Sequence, residues 1–359
     1  MPEDNGTDAG PKKYADRDTP LIENQWYVAA WSYEVTRELM RRWILGKDLL
    51  LYRTEAGKVV ILQNRCAHRS FPLSKGHLEG DNIVCGYHGI SYDSYGRCVR
   101  VPSNQNKPAD IRIKRYTAVE RPPWIWIWLG DDEIANDDLI PDHHWLSDPG
   151  WDYEGDYTHV SANYIGLHET LVDLTHFPYL HAGNMGSKEY AEAPFDVEQD
   201  DMTVRTYRLV KDIILPDFYS GPMGLAGVKV DRSSDSCYLT PGYQVAHAKV
   251  INNNAKQGER REYNSKILHA ITPQSRTSTH YFWAVARDYA QENKQVARMV
   301  VENNVKVFQR YKDTLQWIEE ITSKEECSDF RETNLRADRA GLAMRQIIQR
   351  LADEQASVS

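Results

Sequence analysis

Cys66-Ala67-His68-Arg69 and Cys85-Gly86-Tyr87-His88 decide the fold: C-x-H, sixteen intervening residues, then C-x-x-H. Each half reads as a short loop between strands, so the two loops can converge on one metal centre. Thiolate and imidazole together suit zinc or an iron–sulfur cluster. Zinc sites more often join C-x2-4-C to H-x3-5-H, whereas here each loop brings one Cys and one His. That mixed pairing suits a diiron cluster with both thiolates on one iron and both imidazoles on the other. Three readings of the four residues follow: placement in an ordinary core, a structural Cys2His2 zinc site, or such a cluster.

The flanking sequence is strand-like. WYVAAW, ILGKDLLLYR, KVVILQNR, IVCGYHGISYD and WIWIWLG lie between Gln25 and Leu129. Gly57, Gly80, Gly89, Gly96 and Pro122-Pro123 punctuate them, which predicts a small all-β domain. In Trp124-Ile125-Trp126-Ile127-Trp128-Leu129 every residue is apolar and aromatics alternate with aliphatics, so this strand is expected to pack on both faces. The acidic stretch 131–150, with two prolines, marks a domain boundary. The expected organisation is a flexible tail over 1–22, a β domain over 23–140 and a second domain over 141–359. In the second domain, Tyr164 to His181 reads as a helix interrupted near Pro178, and residues 201–290 return to strands. Apolar spacing then predicts helices over about 291–321 and 338–352.

The helix after the boundary carries a second constellation, E-x3-D-x2-H-x4-H, from Glu169 through Asp173 and His176 to His181. Asp173 and His176, three apart, are expected on one helical face. The five-residue spacing of His176 and His181 does not suit a straight helix. Pro178 lies between them and removes a backbone donor, and a bend there brings both imidazoles to one metal. The alternative is a pair of histidines on an ordinary helix surface.

Composition narrows the class. The 359 residues are 41% hydrophobic and 26% charged, as in globular proteins, and no run approaches the roughly 18 apolar residues of a membrane span. A net charge of −9 argues against nucleic acid as a partner. The polar start lacks the apolar core of a signal peptide, and five cysteines are an odd, scattered set. Reduced thiols, a cytoplasmic location and no membrane partner are therefore expected.

The two Cys/His loops, with N-x-W-Y-V-A-A-W upstream and N-R-C-A-H-R-S-F-P-L-S around the first, resemble the Rieske non-haem iron oxygenases of the vanillate O-demethylase and dicamba monooxygenase type. The resemblance runs through nearly the whole chain after residue 20, including L-R-A-D-R-A-G near the end. It implies an α+β protein: an N-terminal all-β Rieske [2Fe–2S] domain, then a helix-grip catalytic domain of antiparallel sheet plus helices. Cys66, His68, Cys85 and His88 would hold the cluster. His176 and His181 would hold a mononuclear Fe(II), with a late-helix Asp as third ligand. Asp313 matches that Asp, although the family often has E-D where this chain has Lys312-Asp313, and Glu319 and Glu320 remain alternatives.

The same resemblance implies a terminal oxygenase fed by a separate NAD(P)H-dependent reductase carrying flavin and a plant-type [2Fe–2S] domain. It also implies a head-to-tail homotrimer in which Asp173 bridges His88 of one subunit and His176 of the next. Thr170 stands where the family has a substrate-contacting Asn; His247 and His269 fall near other substrate-contacting positions. The expected substrate is a small aromatic oxidised with O2, by O- or N-demethylation or by ring or methyl hydroxylation. Readings from other classes are an iron–sulfur electron carrier, which leaves the second histidine pair unexplained, and a zinc-stabilised binding module.

Overall fold

The computed structural model describes residues 13–103, 110–182, 185–324 and 332–358. The N-terminal half holds three small antiparallel sheets. The first orders β2 (Met40–Ile44), β3 (Lys47–Arg53) and β4 (Val59–Gln63); the second orders β1 (Trp26–Trp31), β10 (Trp124–Trp128) and β9 (Thr117–Arg121). The third runs β5 (His77–Glu79), β6 (Asn82–Val84), β7 (Ser91–Tyr92) and β8 (Cys98–Arg100), and it carries the Cys/His loops.

β10 joins the two halves. Its tryptophans Trp124, Trp126 and Trp128 pack with Tyr243, Leu268 and Phe282 of the following domain, while Ile125 and Ile127 pack with Leu49, Leu51 and Ile61. Period-two alternation thus gives the aromatics to one core and the aliphatics to the other. Each fully buried Ile or Phe there contributes about 1.5–3 kcal/mol of transfer free energy. Polar bonds stitch the same seam: Thr272 Oγ1 donates to the Val28 carbonyl (2.8 Å), and Leu45 N donates to that of Pro273 (2.8 Å).

The C-terminal half is one seven-stranded antiparallel sheet. In sheet order it runs β11 (Asp152–Val160), β17 (Ser278–Arg287), β16 (Glu262–Ser275), β15 (Tyr243–Ile251), β14 (Lys229–Thr240), β13 (Val204–Ile214) and β12 (Asp196–Gln199). Helix α1 (Tyr164–Val172), the long α5 (Lys294–Lys324) and α6 (Arg339–Val358) cover one face. The short α2 (Phe177–Leu180), α3 (Lys188–Glu192) and α4 (Asp217–Met223) close one end. Among the described residues no helix is long and apolar enough to cross a membrane.

Two local expectations change. The helix from Tyr164 stops at Val172, where Asp173 turns extended (φ −81°, ψ 119°), well before Pro178. Pro178 instead sits in the first turn of α2, where a missing N–H costs nothing because no carbonyl precedes it to accept. Asp173 and His176 are therefore brought together by a loop and not by one helical face. The flexible tail expected over 1–22 is also too long: Ala15 and Ile22 are fully buried, Ala15 N bonds the Arg345 carbonyl (3.1 Å), and Arg17 pairs with Glu319 (2.8 Å). Two small apolar anchors in a polar stretch suffice to dock it on α5 and α6.

Candidate metal centres and the adjoining cavity

The two Cys/His loops are backbone copies of one another. Cys66 N donates to the Phe71 carbonyl (2.9 Å) and Ser70 N to that of Cys66 (3.0 Å). Cys85 N donates to the Ile90 carbonyl (2.8 Å) and Gly89 N to that of Cys85 (2.9 Å). In each loop the residue four after the Cys adopts positive φ, 58° at Ser70 and 70° at Gly89. Glycine meets that demand without strain and Ser70 bears it. Both sulfurs end up buried, while His68 and His88 are exposed with ring centroids 4.7 Å apart. The Tyr92 hydroxyl lies 3.2 Å from Cys66 Sγ. Burial pushes the Cys85 thiol upward, so a thiolate here needs a cation beside it.

This arrangement fits a diiron cluster better than zinc. Tetrahedral zinc needs all four side chains within reach of one ion. Among the described residues no three His, Cys, Asp or Glu side chains converge that closely. A cluster asks only for two sulfurs on one iron and two nitrogens on the next. The inner sulfur pair and outer imidazole pair supply that.

The second centre lies where α1 gives way to α2. His176 Nδ1 is 3.4 Å from Asp173 Oδ2, and its Nε2 is 3.1 Å from the Tyr311 hydroxyl. Burial alone would raise the Asp173 carboxyl, but contacts with His176 and the Thr175 amide (2.6 Å) outweigh it and hold the group below the usual carboxylate range. His181 is fully buried, and neither ring nitrogen has a partner among the described residues. Its ring stands 5.4 Å from that of His176 and 4.8 Å from that of Tyr311. Burial, then His176 and Arg310, push its pKa down to about 3. A buried imidazole with two orphaned nitrogens is costly unless something coordinates it, and a metal ion fits that need.

The structure does not bring the expected third ligand to this pair. Asp313 accepts from Gln309 (2.7 Å) and borders a surface groove with Gln316 and Trp317. Two residues along a helix turn the side chain by about 200°, so the face toward the histidines carries Tyr311. Glu319 is engaged with Arg17 and Glu320 with Lys324. Tyr311 went unnoticed in the sequence, although Asn304, Phe308 and Tyr311 form a helical stripe.

A cavity of about 590 Å³, counted out to its mouth, lies between the sheet and α5. Leu171, Leu174, Phe177, Val307 and Phe308 line it, and Tyr311 stands between it and the histidine pair. His269 reaches this space; its Nδ1 bonds the Tyr281 hydroxyl (2.7 Å), and burial followed by His168 pushes its pKa down to about 3. His247 touches only the wall. The register aligns Asp235, His247 and Lys266 in one row, and Tyr238, Gln244 and His269 in another an odd number of residues away, so the two histidines point to opposite faces. Behind the sheet His247 contacts Asn264 (3.1 Å) and Asp235 (3.7 Å). Thr170 is absent from the lining, because its hydroxyl bonds the Gly166 carbonyl one turn back on α1 (2.9 Å). Arg232, Ser234 and Asn304 also border the cavity and were missed, since nothing in the sequence marks an inward strand position as polar by design.

A Rieske-like loop pair joined to a two-histidine site under a sheet-and-helix cavity is the architecture of a two-centre oxygenase. Residues 25–117 match the Rieske [2Fe–2S] domain, and 160–354 match the vanillate O-demethylase oxygenase C-terminal domain. The chain is 31% identical to the toluene-4-sulfonate monooxygenase system iron-sulfur subunit of Comamonas testosteroni, over 85% of this chain and 90% of that protein. It is 32% identical to a vanillate O-demethylase oxygenase subunit of Pseudomonas sp. (strain HR199), over 82% and 85%. Dicamba monooxygenase bound to 3,6-dichlorosalicylic acid superimposes with a TM-score of 0.88 at 27% identity, over 94% of this chain and 99% of that one. Its structure with non-heme iron and dicamba gives 0.80 at 26% identity, over 95% and 100%. The chain belongs to the vanillate O-demethylase-type Rieske non-haem iron oxygenases, which are O2-using oxidoreductases carrying a Rieske cluster and a mononuclear iron.

Proposed function

We propose that this chain is the terminal oxygenase of a demethylating monooxygenase system. Cys66 and Cys85 hold one iron of the cluster and His68 and His88 the other, while His176 and His181 hold Fe(II). The duplicated loops carry the first assignment, and the orphaned nitrogens of buried His181 carry the second. When bound, the cluster supplies electrons one at a time and the ferrous ion supplies dioxygen activation. The protein's own side chains do the rest. Asp173 fixes the orientation of His176, as carboxylates behind metal-bound imidazoles do. Leu171, Phe177 and Phe308 exclude water and seat an aromatic ring, and His269, held neutral, offers a hydrogen bond but no charge. The reaction balances as a methoxy- or N-methyl-aromatic plus O2, two electrons and two protons giving the demethylated aromatic, formaldehyde and water.

The electrons come from a separate reductase, as the system and subunit names of the relatives imply. We infer that it carries flavin and a plant-type [2Fe–2S] domain and draws on NAD(P)H. A head-to-tail homotrimer, in which another subunit covers them, is compatible with the exposure of His68 and His88. In the trimer Asp173 would link His88 of one subunit to His176 of the next. A cytoplasmic setting agrees with Cys237 being a free thiol. The test is reconstitution with a reductase and a panel of methoxy- and N-methyl-aromatics, assayed for formaldehyde. Hydroxylated product without formaldehyde would replace demethylation with ring or methyl hydroxylation.

A further inference from the structure

Where α5 meets the two imidazoles it presents a phenol oxygen. Tyr311 lies on the inward stripe of that helix with Asn304, Val307 and Phe308, and only 3% of it is exposed. Among the described residues its hydroxyl makes one hydrogen bond, with His176 Nε2 at 3.1 Å. The rings of His176, His181 and Tyr311 surround one point. Their centroids form a nearly equilateral triangle with sides of 5.4, 5.4 and 4.8 Å, and each ring plane is tilted 64° to 79° from the others.

The proton of the Tyr311–His176 bond sits on the oxygen. Asp173 lies 3.4 Å from His176 Nδ1, and a carboxylate only accepts, so Nδ1 carries the imidazole proton. Nε2 keeps its lone pair, and the Tyr311 hydroxyl donates to it. Lone pairs of nitrogen and oxygen thus converge on the same space, which suits a cation. The spacing agrees. Two donors that are each about 2.0–2.1 Å from one metal, at right angles, stand about 3 Å apart, and here the separation is 3.1 Å. His181, with both nitrogens buried and unpartnered among the described residues, closes the third side.

We propose that Tyr311 is the third protein ligand of the mononuclear iron, making the centre two imidazoles and one phenol oxygen in place of a carboxylate. Toward ferrous iron the phenol keeps its proton and binds as a weak neutral donor. Toward ferric iron it binds as phenolate, because a neighbouring cation of higher charge favours the ionised oxygen, and phenolate is an established iron donor. One electron lost to an added oxidant such as ferricyanide is matched by one proton lost from the phenol to solvent. The same oxygen therefore grips ferric iron firmly and ferrous iron loosely. The inference rests on His176 and His181 holding iron, and it names the ligand that completes the pair.

Oxygenase loaded with iron under argon is oxidised with ferricyanide, without reductase or substrate, and its resonance Raman spectrum is excited in the visible. The wild type should show the ring modes of an iron-bound tyrosinate, and Tyr311→Phe should lack them while its cluster bands stay unchanged. Competition with a chelator reads the second signature. Tyr311→Phe should bind ferric iron about 10–100-fold more weakly than the wild type, and ferrous iron less than about threefold more weakly. A hydroxyl that only braces His176 gives no tyrosinate modes in the wild type, and its removal weakens both oxidation states alike; either result overturns the assignment. The wild-type spectrum decides by itself if Tyr311→Phe does not fold. Replacing His176 and His181 together by Ala should leave cluster iron alone. Wild type that holds no iron beyond the cluster would overturn the histidine pair as well, whereas bound iron without tyrosinate modes removes only Tyr311.

Discussion

Replacing Tyr92 by Phe should lower the reduction potential of the cluster. Tyr92 is fully buried on β7, and its hydroxyl sits 3.2 Å from both Cys66 Sγ and the Ala67 amide. The amide can only donate, so the hydroxyl accepts from it and turns its own proton to the sulfur. Once Cys66 is a thiolate the direction is fixed. A hydrogen bond to a charged acceptor is worth about 1.5–3 kcal/mol, and it strengthens as reduction adds negative charge to the cluster. If reduction accounts for about 1 kcal/mol of that, the midpoint falls by about 40 mV, since tenfold in a one-electron equilibrium is about 59 mV. The phenyl ring keeps the packing, so cluster content should hold, although the orphaned Ala67 N–H costs about 1–2 kcal/mol of stability. A dye-mediated titration of wild type and Tyr92→Phe, followed by the reduced-state EPR signal, reads the shift. An unchanged or raised midpoint at full cluster occupancy would refute the assignment of that proton to the sulfur.

Two further outcomes follow from the buried histidines and from Asp173. Asp173→Asn should keep both metals yet slow product formation by about 10–100-fold, the usual loss when the carboxylate behind a metal-bound imidazole goes; iron analysis beside single-turnover product yield checks it, and wild-type turnover would end the orienting role. His269 is held down to about pH 3 by burial and His280 to about 4, against about 6.5 in the unfolded chain. The unfolded state therefore binds more protons, so their contribution is intact above about pH 6.5 and lost as pH falls below it, by about 2 kcal/mol each at pH 5. Urea melts of wild type and His280→Gln from pH 8 to 5 should show the variant losing less stability on acidification.

The first centre was legible because every determinant is local. The ligand spacing lies within residues 66–88 and the strand-like flanks and turn glycines within 25–129, and the structure adds only that Ser70 does the work that Gly89 does by type. β10 was equally readable, because alternation decides its two faces whatever surrounds it. What failed depended on partners distant in sequence. Pro178 looked like a kink because a proline within a helical pattern usually is one, yet Asp173 had already ended the helix. His247 and His269 looked alike on neighbouring strands, and only the register of β15 on β16 reveals that they face opposite ways. Arg232 was invisible for the reverse reason: a charged residue in a strand reads as solvent-facing until its burial is known.

The same dependence bears on how tightly iron is held. On α5, Asp313 bonds Gln309, Glu319 pairs with Arg17, Glu320 pairs with Lys324, and Glu302 borders a surface groove with Lys294 and Arg298. The stripe that includes Tyr311 carries Phe308 one turn back and Asn304 two turns back, and no carboxylate. Among the described residues α5 thus brings no carboxylate to the two imidazoles, and the one carboxylate beside them, that of Asp173, lies behind His176. Losing even a carboxylate behind the ligands costs metal sites about 10–100-fold in affinity, and an absent charged ligand should cost no less. A chelator under argon should therefore strip mononuclear iron while the sulfur-bound cluster keeps its spectrum. Tyr311→Asp, which sets a carboxylate at the position of α5 that faces the histidine pair, should slow that loss by about tenfold or more. Iron that resists the chelator as firmly as the cluster does, with Tyr311→Asp making no difference, would mean that an anion reaches the histidine pair by a route this arrangement of α5 does not contain.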